Sequence, residues 1–377
     1  MDCGYFTSGA CRSCRWLEMA YADQLAQKQQ RVAAALGDVR WEEPVSSPEA
    51  GFRNKAKMVV AGSVEAPTLG ILSHDGLGVD LLACGLHTPG LQSALPVLSR
   101  FVTTARLTPY SVPERRGELK HVIVTEAPGG ELMVRWVLRS TEALSRLRKH
   151  LPALLDELPI AVASVNIQPA HKAVIEGPEE IFLTAREALT MEVNGIGLRL
   201  RPHSFFQTNT SVAAALYRHA RDLVSSVSPA TVWDLYCGVG GFGLHVAAPG
   251  REVLGVESSE QAVEAAASTA AELGLPGTSW VAGDAAAYAL SAGSAPDLVI
   301  VNPPRRGIGS ALAGWLEESG VEHVVYSSCN VDTLARDLGD MPSLRPVSAR
   351  LLDMFPNTDH HEVLVLLKRT RRRVGRS

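Results

Sequence analysis

The chain has 377 residues, too many for one small core, and its composition, 46% apolar and 20% charged, is that of an ordinary globular protein. No run of eighteen apolar residues appears and the N-terminus lacks a basic-then-apolar leader, so neither a membrane span nor a secretory signal is expected, and a cytoplasmic location is. A net charge of −4 argues against indiscriminate nucleic-acid binding but leaves room for a local basic face.

The opening stretch, MDCGYFTSGACRSC, holds three of the six cysteines, Cys3, Cys11 and Cys14. A reducing compartment disfavours a disulfide framework. Cys237 and Cys329 fall in the second half, in other contexts, which leaves Cys84, in LLACGLH, as the fourth partner of a four-thiol site. The pattern C-x7-C-x2-C, a long gap, then C contains one C-x2-C pair, where zinc ribbons use two. By spacing alone, zinc and an iron–sulfur cluster are comparable.

Tyr21 to Leu36 reads as a helix rich in Ala, Gln and Leu. From Gly51 the texture turns to strand, in KMVVAGSV and LGILS. HVIVTEA and ELMVRWVLRS flank Pro128-Gly129-Gly130 as a hairpin. STEALSRLRKHLPALLDEL has helical spacing, and ASVNIQP and MEVNGIGLRLRP return to strand, the latter with a turn at Asn194-Gly195. The first half is therefore mixed α+β. Basic residues gather at Arg53, Lys55 and Lys57, at Arg115, Arg116 and Lys120, at Arg305 and Arg306, and in the tail KRTRRRVGR. Each alone reads as a solvated face and gains meaning only beside a cleft.

After Arg201-Pro202 the rhythm changes to alternating strand and helix: VAAALYRHARDLVSSV, TVWDLYCGVGGFG, EVLGVE, QAVEAAASTAAELG, SWVAGDA, DLVIVNPP, ALAGWLEESG, EHVVYSSCN and LARDLGDM. Two strands, PVSARLLDMF and EVLVLLKR, close the chain. Short apolar strands alternating with helices predict a doubly wound, mostly parallel α/β sheet with a terminal antiparallel hairpin.

Gly238, Gly240 and Gly243 match G-x-G-x-x-G, a pattern shared by several adenosine cofactors. Glu257 ends the next strand, where a carboxylate can meet ribose hydroxyls, and Asp284 ends the third, within reach of an adenine amino group. The fourth strand ends in Asn302-Pro303-Pro304-Arg305-Arg306-Gly307, a rigid turn suited to holding a base beside a transferable methyl group and superfluous in a nicotinamide enzyme. Cys329, in YSSCN, stands at the carboxyl end of the fifth strand, with Ser327, Ser328 and Asn330 around it. Cys237 reads as a packing or cofactor-wall residue. A thiolate at Cys329 can add to C6 of a pyrimidine and make C5 nucleophilic, and the cycle then needs a base to remove the C5 proton. Glu362, in HHEVLVLL, is the expected base if burial raises its pKa, with His361 as the alternative. His360 and Glu362 share one strand face, but no third metal ligand with suitable spacing is evident.

SFFQTN, DLYCGVGGFG, NPPRRG, YSSCN and HHEVL occur in the order and spacing of the RNA uracil-5-methyltransferases, and GFRNKAKM, RRGELKH and the N-terminal cysteines extend the match over nearly the whole chain. The chain thus resembles that family, most closely the branch that acts on 23S rRNA without an added N-terminal β-barrel. The resemblance implies methylation of a uracil in a 23S rRNA hairpin loop, with Cys329 as nucleophile and Glu362 as proton acceptor. It implies S-adenosylmethionine contacts at Gln207, Tyr236, Glu257 and Asn302, beside Gly238, Gly240 and Asp284. Asn302 stands where other branches have Asp. The resemblance also tips the four-cysteine site, Cys3, Cys11, Cys14 and Cys84, to [4Fe–4S].

The expected organisation is a cysteine-cluster region with a basic strand segment (1–90), a central α+β RNA-binding domain (91–200), and a Rossmann-like methyltransferase domain with the basic tail (201–377). Phe205 and Phe206 are candidates to line the base pocket, at least one of them doubling as core. The competing readings are a tRNA uracil-5-methyltransferase, a nicotinamide or flavin oxidoreductase with an iron–sulfur relay, and a non-catalytic RNA-binding protein.

Overall fold

The computed structural model describes residues 1–370, so the tail beyond Thr370 lies outside the described residues. The chain opens with one helical turn, α1 (Gly4–Thr7), a helix, α2 (Tyr21–Leu36), and a two-residue strand, β1 (Arg40–Trp41). The chain divides into two compact units. The first comprises residues 1–14, 48–191 and 201–203; the second comprises 15–47, 192–200 and 204 onward.

The first unit is a seven-stranded sheet: β2 (Lys55–Gly62), β3 (Pro67–Leu72), β4 (Gly78–Asp80), β5 (Leu119–Glu126), β6 (Leu132–Leu138), β7 (Ile160–Ile167) and β8 (Glu179–Phe182), in the spatial order β4-β3-β2-β5-β6-β7-β8. Two helices, α3 (Pro89–Thr104) and α4 (Leu144–Glu157), belong to it. Every pairing is antiparallel except β6 with β7, which α4 connects. That exception follows from length, because a parallel pair needs a crossover and a tight turn cannot supply one.

Strand alternation divides the sheet's side chains between two faces. Met58, Val122, Val124, Val134 and Trp136 form the core with Leu91, Leu95 and Leu98 of α3 and Leu147 and Leu151 of α4. Each such leucine stabilises the unit by roughly 1.5–3 kcal/mol through burial. The other face carries a polar cluster: Arg135, 1% exposed, pairs with Glu176 at 2.8 Å and with Glu180, and His203 lies 3.3 Å from both carboxylates.

A hairpin, β9 (Leu189–Val193) and β10 (Ile196–Leu200), follows. Its turn has positive φ at both Asn194 (53°) and Gly195 (80°), as the Asn-Gly pair predicts.

The second unit adds α5 (Thr210–Val227), β11 (Thr231–Leu235), α6 (Gly241–Val246), β12 (Glu252–Glu257), α7 (Glu260–Glu272), β13 (Thr278–Ala282), α8 (Ala285–Ser291), β14 (Leu298–Val301), α9 (Gly309–Glu318), β15 (His323–Ser328), α10 (Val331–Gly339), β16 (Leu344–Leu352) and β17 (Glu362–Arg369). The eight-stranded sheet runs β1-β16-β17-β15-β14-β11-β12-β13, and only β17 is antiparallel to its neighbours. The strand order reverses about β11, which β12 and β14 flank, and a crevice opens at the carboxyl ends of such strands. Because β17 runs the other way, its first residue, Glu362, reaches the same end of the sheet as the last residues of β11, β12, β14 and β15.

Among the described residues no helix is long and apolar enough to cross a membrane.

Candidate functional site

A cavity of about 580 Å³ opens at that end of the second unit's sheet. Gln207, Tyr236, Gly238, Glu257, Asp284, Asn302, Cys329 and Glu362 all line it, although they are spread over more than 150 residues of chain. Gly240 does not. Its φ is 85°, and a Cβ there would come within 3.0 Å of Leu244, Trp280 and Ala266, so this glycine serves the packing behind the loop. Gly238, at φ 53°, borders open space and leaves the backbone accessible to a ligand.

The glycine loop is held from below. Asp234, at the buried end of β11, accepts the Gly243 N–H at 2.7 Å, and burial pushes its carboxyl up to about 7. Tyr236 takes a positive φ of 67°, costly for a bulky residue, while its N–H still bonds the Val256 carbonyl. Glu257 accepts hydrogen bonds from Gly238 N (3.2 Å), Ser258 Oγ (2.8 Å) and Ser259 N (3.1 Å), so its carboxylate is oriented before any ligand arrives. Asp284 lies just past β13 and caps α8 by accepting from Ala287 N at 2.8 Å. The Asn302–Gly307 turn is fixed by buried Asp337, which accepts from Ile308 N (2.9 Å) and Tyr326 Oη (2.7 Å). At Gly307, φ 80°, a Cβ would collide with that carboxylate.

Ser327 and Ser328 of β15 pair with Leu364 and Val363 of β17, and continuing that register by one position sets Cys329 opposite Glu362. Glu362 is 3% exposed. Burial pushes its carboxyl up to about 7, against the opposing effect of the hydrogen bond it accepts from Ser327 Oγ. The Cys329 thiol is raised by burial and by the Glu362 charge, while Arg305 beside it acts in the opposite sense. Ser328 and Asn330 serve the turn: Ser328 Oγ donates to the Asn330 carbonyl, and Asn330 Oδ1 caps α10. His361 is not in the lining; burial holds it neutral, with its pKa near 4. Of the two phenylalanines, Phe206 is buried and Phe205 is 72% exposed at the cavity. Cys237 is buried in the wall.

Asp234, Asp337, the hydrogen bond from Ser327 to Glu362 and the influence of Arg305 on the thiol were missed from sequence. Asp234 carried a signal, an acid in the otherwise apolar strand end VWDL.

The four remaining cysteines belong to the first unit. Cys14 lies near enough to Cys3, Cys11 and Cys84 for their charges to disfavour its thiolate, and burial, the larger effect, carries it to about 11. Arg53 works against that rise at Cys14 and Cys84. Cys11 Sγ lies 3.4 Å from Ser13 Oγ. Among the described residues, no three His, Cys, Asp or Glu side chains stand in an arrangement that could hold a metal ion. The iron–sulfur expectation therefore has a gathered donor set but no formed metal site, and the His360–Glu362 metal site has no third ligand.

Residues 161–275 and 293–370 match the family model described as tRNA (Uracil-5-)-methyltransferase. The chain belongs to that uracil-5-methyltransferase family. Among curated members, a protein of Cronobacter sakazakii named 23S rRNA (uracil(747)-C(5))-methyltransferase RlmC is 48% identical, over 98% of this chain and 100% of its own length. The protein of the same name from Serratia proteamaculans is 47% identical, over 98% and 100%. Among solved structures, a family member, the Pyrococcus abyssi tRNA (uracil-54, C5)-methyltransferase in complex with S-adenosyl-L-homocysteine, aligns with a TM-score of 0.80 at 25% identity, over 94% of this chain and 85% of that one. The family fold, an α/β methyltransferase with mixed sheets, is thus the fold of this chain.

Proposed function

We propose that the chain methylates C5 of a uracil in 23S rRNA, in the cytoplasm, with S-adenosylmethionine as methyl donor. The observation that carries this reading is the register that sets Cys329 opposite Glu362 in the cavity at the glycine loop. The substrate comes from the relatives of nearly half identity, whose names specify uracil 747 of 23S rRNA. A hairpin loop as the setting of that uracil belongs to the same reading.

The cavity fits the donor: Gly238 leaves room for backbone approach, Glu257 is a pre-oriented acceptor, and Gln207, Tyr236, Asp284 and Asn302 supply the remaining wall. S-adenosylmethionine, when bound, would supply an electrophilic sulfonium methyl, its S–CH3 bond breaking to leave S-adenosylhomocysteine as the neutral thioether. The Cys329 thiolate adds to C6 of the uracil, and the π electrons of the C5=C6 bond move onto C5 and O4, so that C5 can take the methyl. Glu362 then accepts the C5 proton. The C5–H electron pair re-forms the double bond, and the C6–S bond breaks to return the thiolate. A target within structured RNA must leave its stack to enter the cavity. Exposed Phe205 supplies a ring face for it.

The test is transfer of labelled methyl to 23S rRNA lacking the modification, with tRNA as a parallel substrate. Wild-type protein labels the rRNA at one uracil; Cys329→Ala labels nothing. Glu362→Gln keeps the acceptor for Ser327, completes addition and methyl transfer, and accumulates a covalent protein–RNA adduct that denaturing gels detect. A fully active Cys329→Ala variant would sink the thiol mechanism, and labelling of tRNA alone would sink the substrate.

We further infer that Cys3, Cys11, Cys14 and Cys84 take a [4Fe–4S] cluster. Support comes from the donor set, four thiols drawn from both ends of an 82-residue segment to within charge–charge range beside the cationic Arg53. Ligation would tie the N-terminal turn to Cys84, outside the methyl-transfer chemistry. Anaerobically purified protein should hold about four irons and four sulfides per chain, and Cys84→Ser should lose them.

A further inference from the structure

The first unit has its own cavity, of about 340 Å³, lined by residues of the 59–175 span. It lies on the sheet face opposite α3 and α4. The helix-side core takes Met58 and Val122, whereas Val59 and His121, paired with each other across β2 and β5, have the opposite parity and line the cavity. A β-bulge at Lys120 lets Lys120 line it beside His121.

The lining contains no carboxylate, but it contains Lys120, Lys172, His121 and His171. Exposed Arg115 and Arg116 share a tight turn with Val112 of the lining. The Tyr110 ring has Lys120 Nζ 4.8 Å from its centroid, and its hydroxyl lies 3.0 Å from His171 Nδ1, with the two rings 6.2 Å apart. Val112 and Val174 are 40% and 56% exposed beside them. His121 Nδ1 is buried and has no hydrogen-bond partner among the described residues. Burial holds that imidazole neutral, with its pKa near 4, so it can offer one donor and one acceptor.

A concave site with a ring face, apolar flanks and cations, whose neighbouring carboxylate Glu176 is already paired with Arg135 and Lys57, suits a flat, anionic ligand. A nucleotide combines those properties: its base stacks on rings and its phosphate meets ammonium groups. Sheets backed by helices on one face bind unpaired bases on the other in other RNA-binding folds. We propose that this cavity binds one unstacked nucleotide of the RNA substrate, distinct from the uracil that is methylated. Its base lies against the exposed His171 ring, which the buried Tyr110 backs, and its phosphate at exposed Lys172. The proposal rests on the reading that RNA is the substrate.

The test uses the full chain and a 23S rRNA hairpin transcript carrying 4-thiouridine at loop positions other than the target. Photo-cross-linking and peptide mapping should place one such nucleotide on residues 110–121 or 170–176. His171→Ala and Lys172→Glu, both at exposed positions, should each weaken RNA binding by roughly tenfold, measured as Kd by fluorescence anisotropy. Lys172→Glu should also lower the slope of log Kd against log salt by about one, and His171→Ala should leave it unchanged, as loss of a phosphate contact and loss of a stacking ring respectively require. Unchanged Kd in both variants, or cross-links confined to the second unit, would overturn the subsite. Wild-type protein that binds the transcript without methylating it would fail the function reading alone, because Kd, slope and cross-links still decide the subsite.

Discussion

Cys329 sits between two opposed charges. The Glu362 carboxylate disfavours the thiolate and the Arg305 guanidinium favours it, on top of a burial effect that is larger than either. The proposed base therefore works against the proposed nucleophile. Arg305 offsets that conflict from the Asn302–Gly307 turn, which explains a charged residue directly after the paired prolines. The pH dependence follows. Glu362, raised from an ordinary 4.5 to about 7, is ionised and able to accept a proton above that pH, so turnover should rise as pH increases through about 7. The thiolate fraction continues to grow toward its own raised pKa. Arg305→Ala removes the cation that favours the thiolate and pushes the thiol higher still. The variant should lose most of its rate near neutral pH and recover part of it as pH is raised, while wild type gains less over the same interval. A pH–kcat profile of both proteins checks this; parallel profiles would mean that Arg305 acts on something other than the thiol.

The elements around the cavity depend on one buried ion pair. Lys28 of α2 bonds Asp353 at 2.6 Å, with both side chains fully buried, and also donates to the Phe355 carbonyl at 3.1 Å. Gln24, one turn earlier, donates to the Asn357 side chain and accepts from its backbone N–H. The link from β16 to β17, which brings Phe355 and Glu362 to the cavity, is thus pinned to α2. Lys28→Ala would leave Asp353 buried and uncompensated, at a cost of about 3–5 kcal/mol, whereas Lys28→Met with Asp353→Leu should recover most of it. Urea denaturation of the three proteins measures the difference. None of this was legible in the sequence. The helix from Tyr21 to Leu36 was, because apolar periodicity and breakers are local signals, but its partner lies more than 300 residues away. The parallel sheet was likewise readable from the alternation of short apolar strands with helices. The position of β17 between β15 and β16 was not, since strand neighbours are chosen by long-range packing. α3 has no counterpart in the sequence reading: Pro89, Gly90 and Pro96 are helix-disfavouring residues, yet Pro89 occupies the first turn, where a missing N–H is harmless, and Leu91, Leu95, Leu98 and Val102 carry the helix into the core. Cys329 and Glu362 could be found from strand-end positions; Arg305 as the counter-charge could not, because that relation exists only once the turn is folded.

At the scale of the whole molecule, the two units have separate hydrophobic cores. One is drawn from residues 56–167, and the other joins Val32 and Leu36 to residues 235–367. Each core is large enough to support cooperative unfolding of its own. The cavities divide the same way: the glycine-loop cavity is lined by the second unit and the proposed nucleotide cavity by the first. A ligand stabilises only the cooperative unit that must be folded to bind it. Scanning calorimetry of the full chain should therefore resolve two transitions. S-adenosylhomocysteine at about a hundred times its Kd contributes roughly 2.7 kcal/mol, enough to raise one midpoint by about 5–10 °C while the other stays in place. Lys28→Ala, whose ion pair lies within the second unit, should lower the midpoint of that same ligand-responsive transition. A single transition that moves as a whole with ligand would show instead that the two cores melt together.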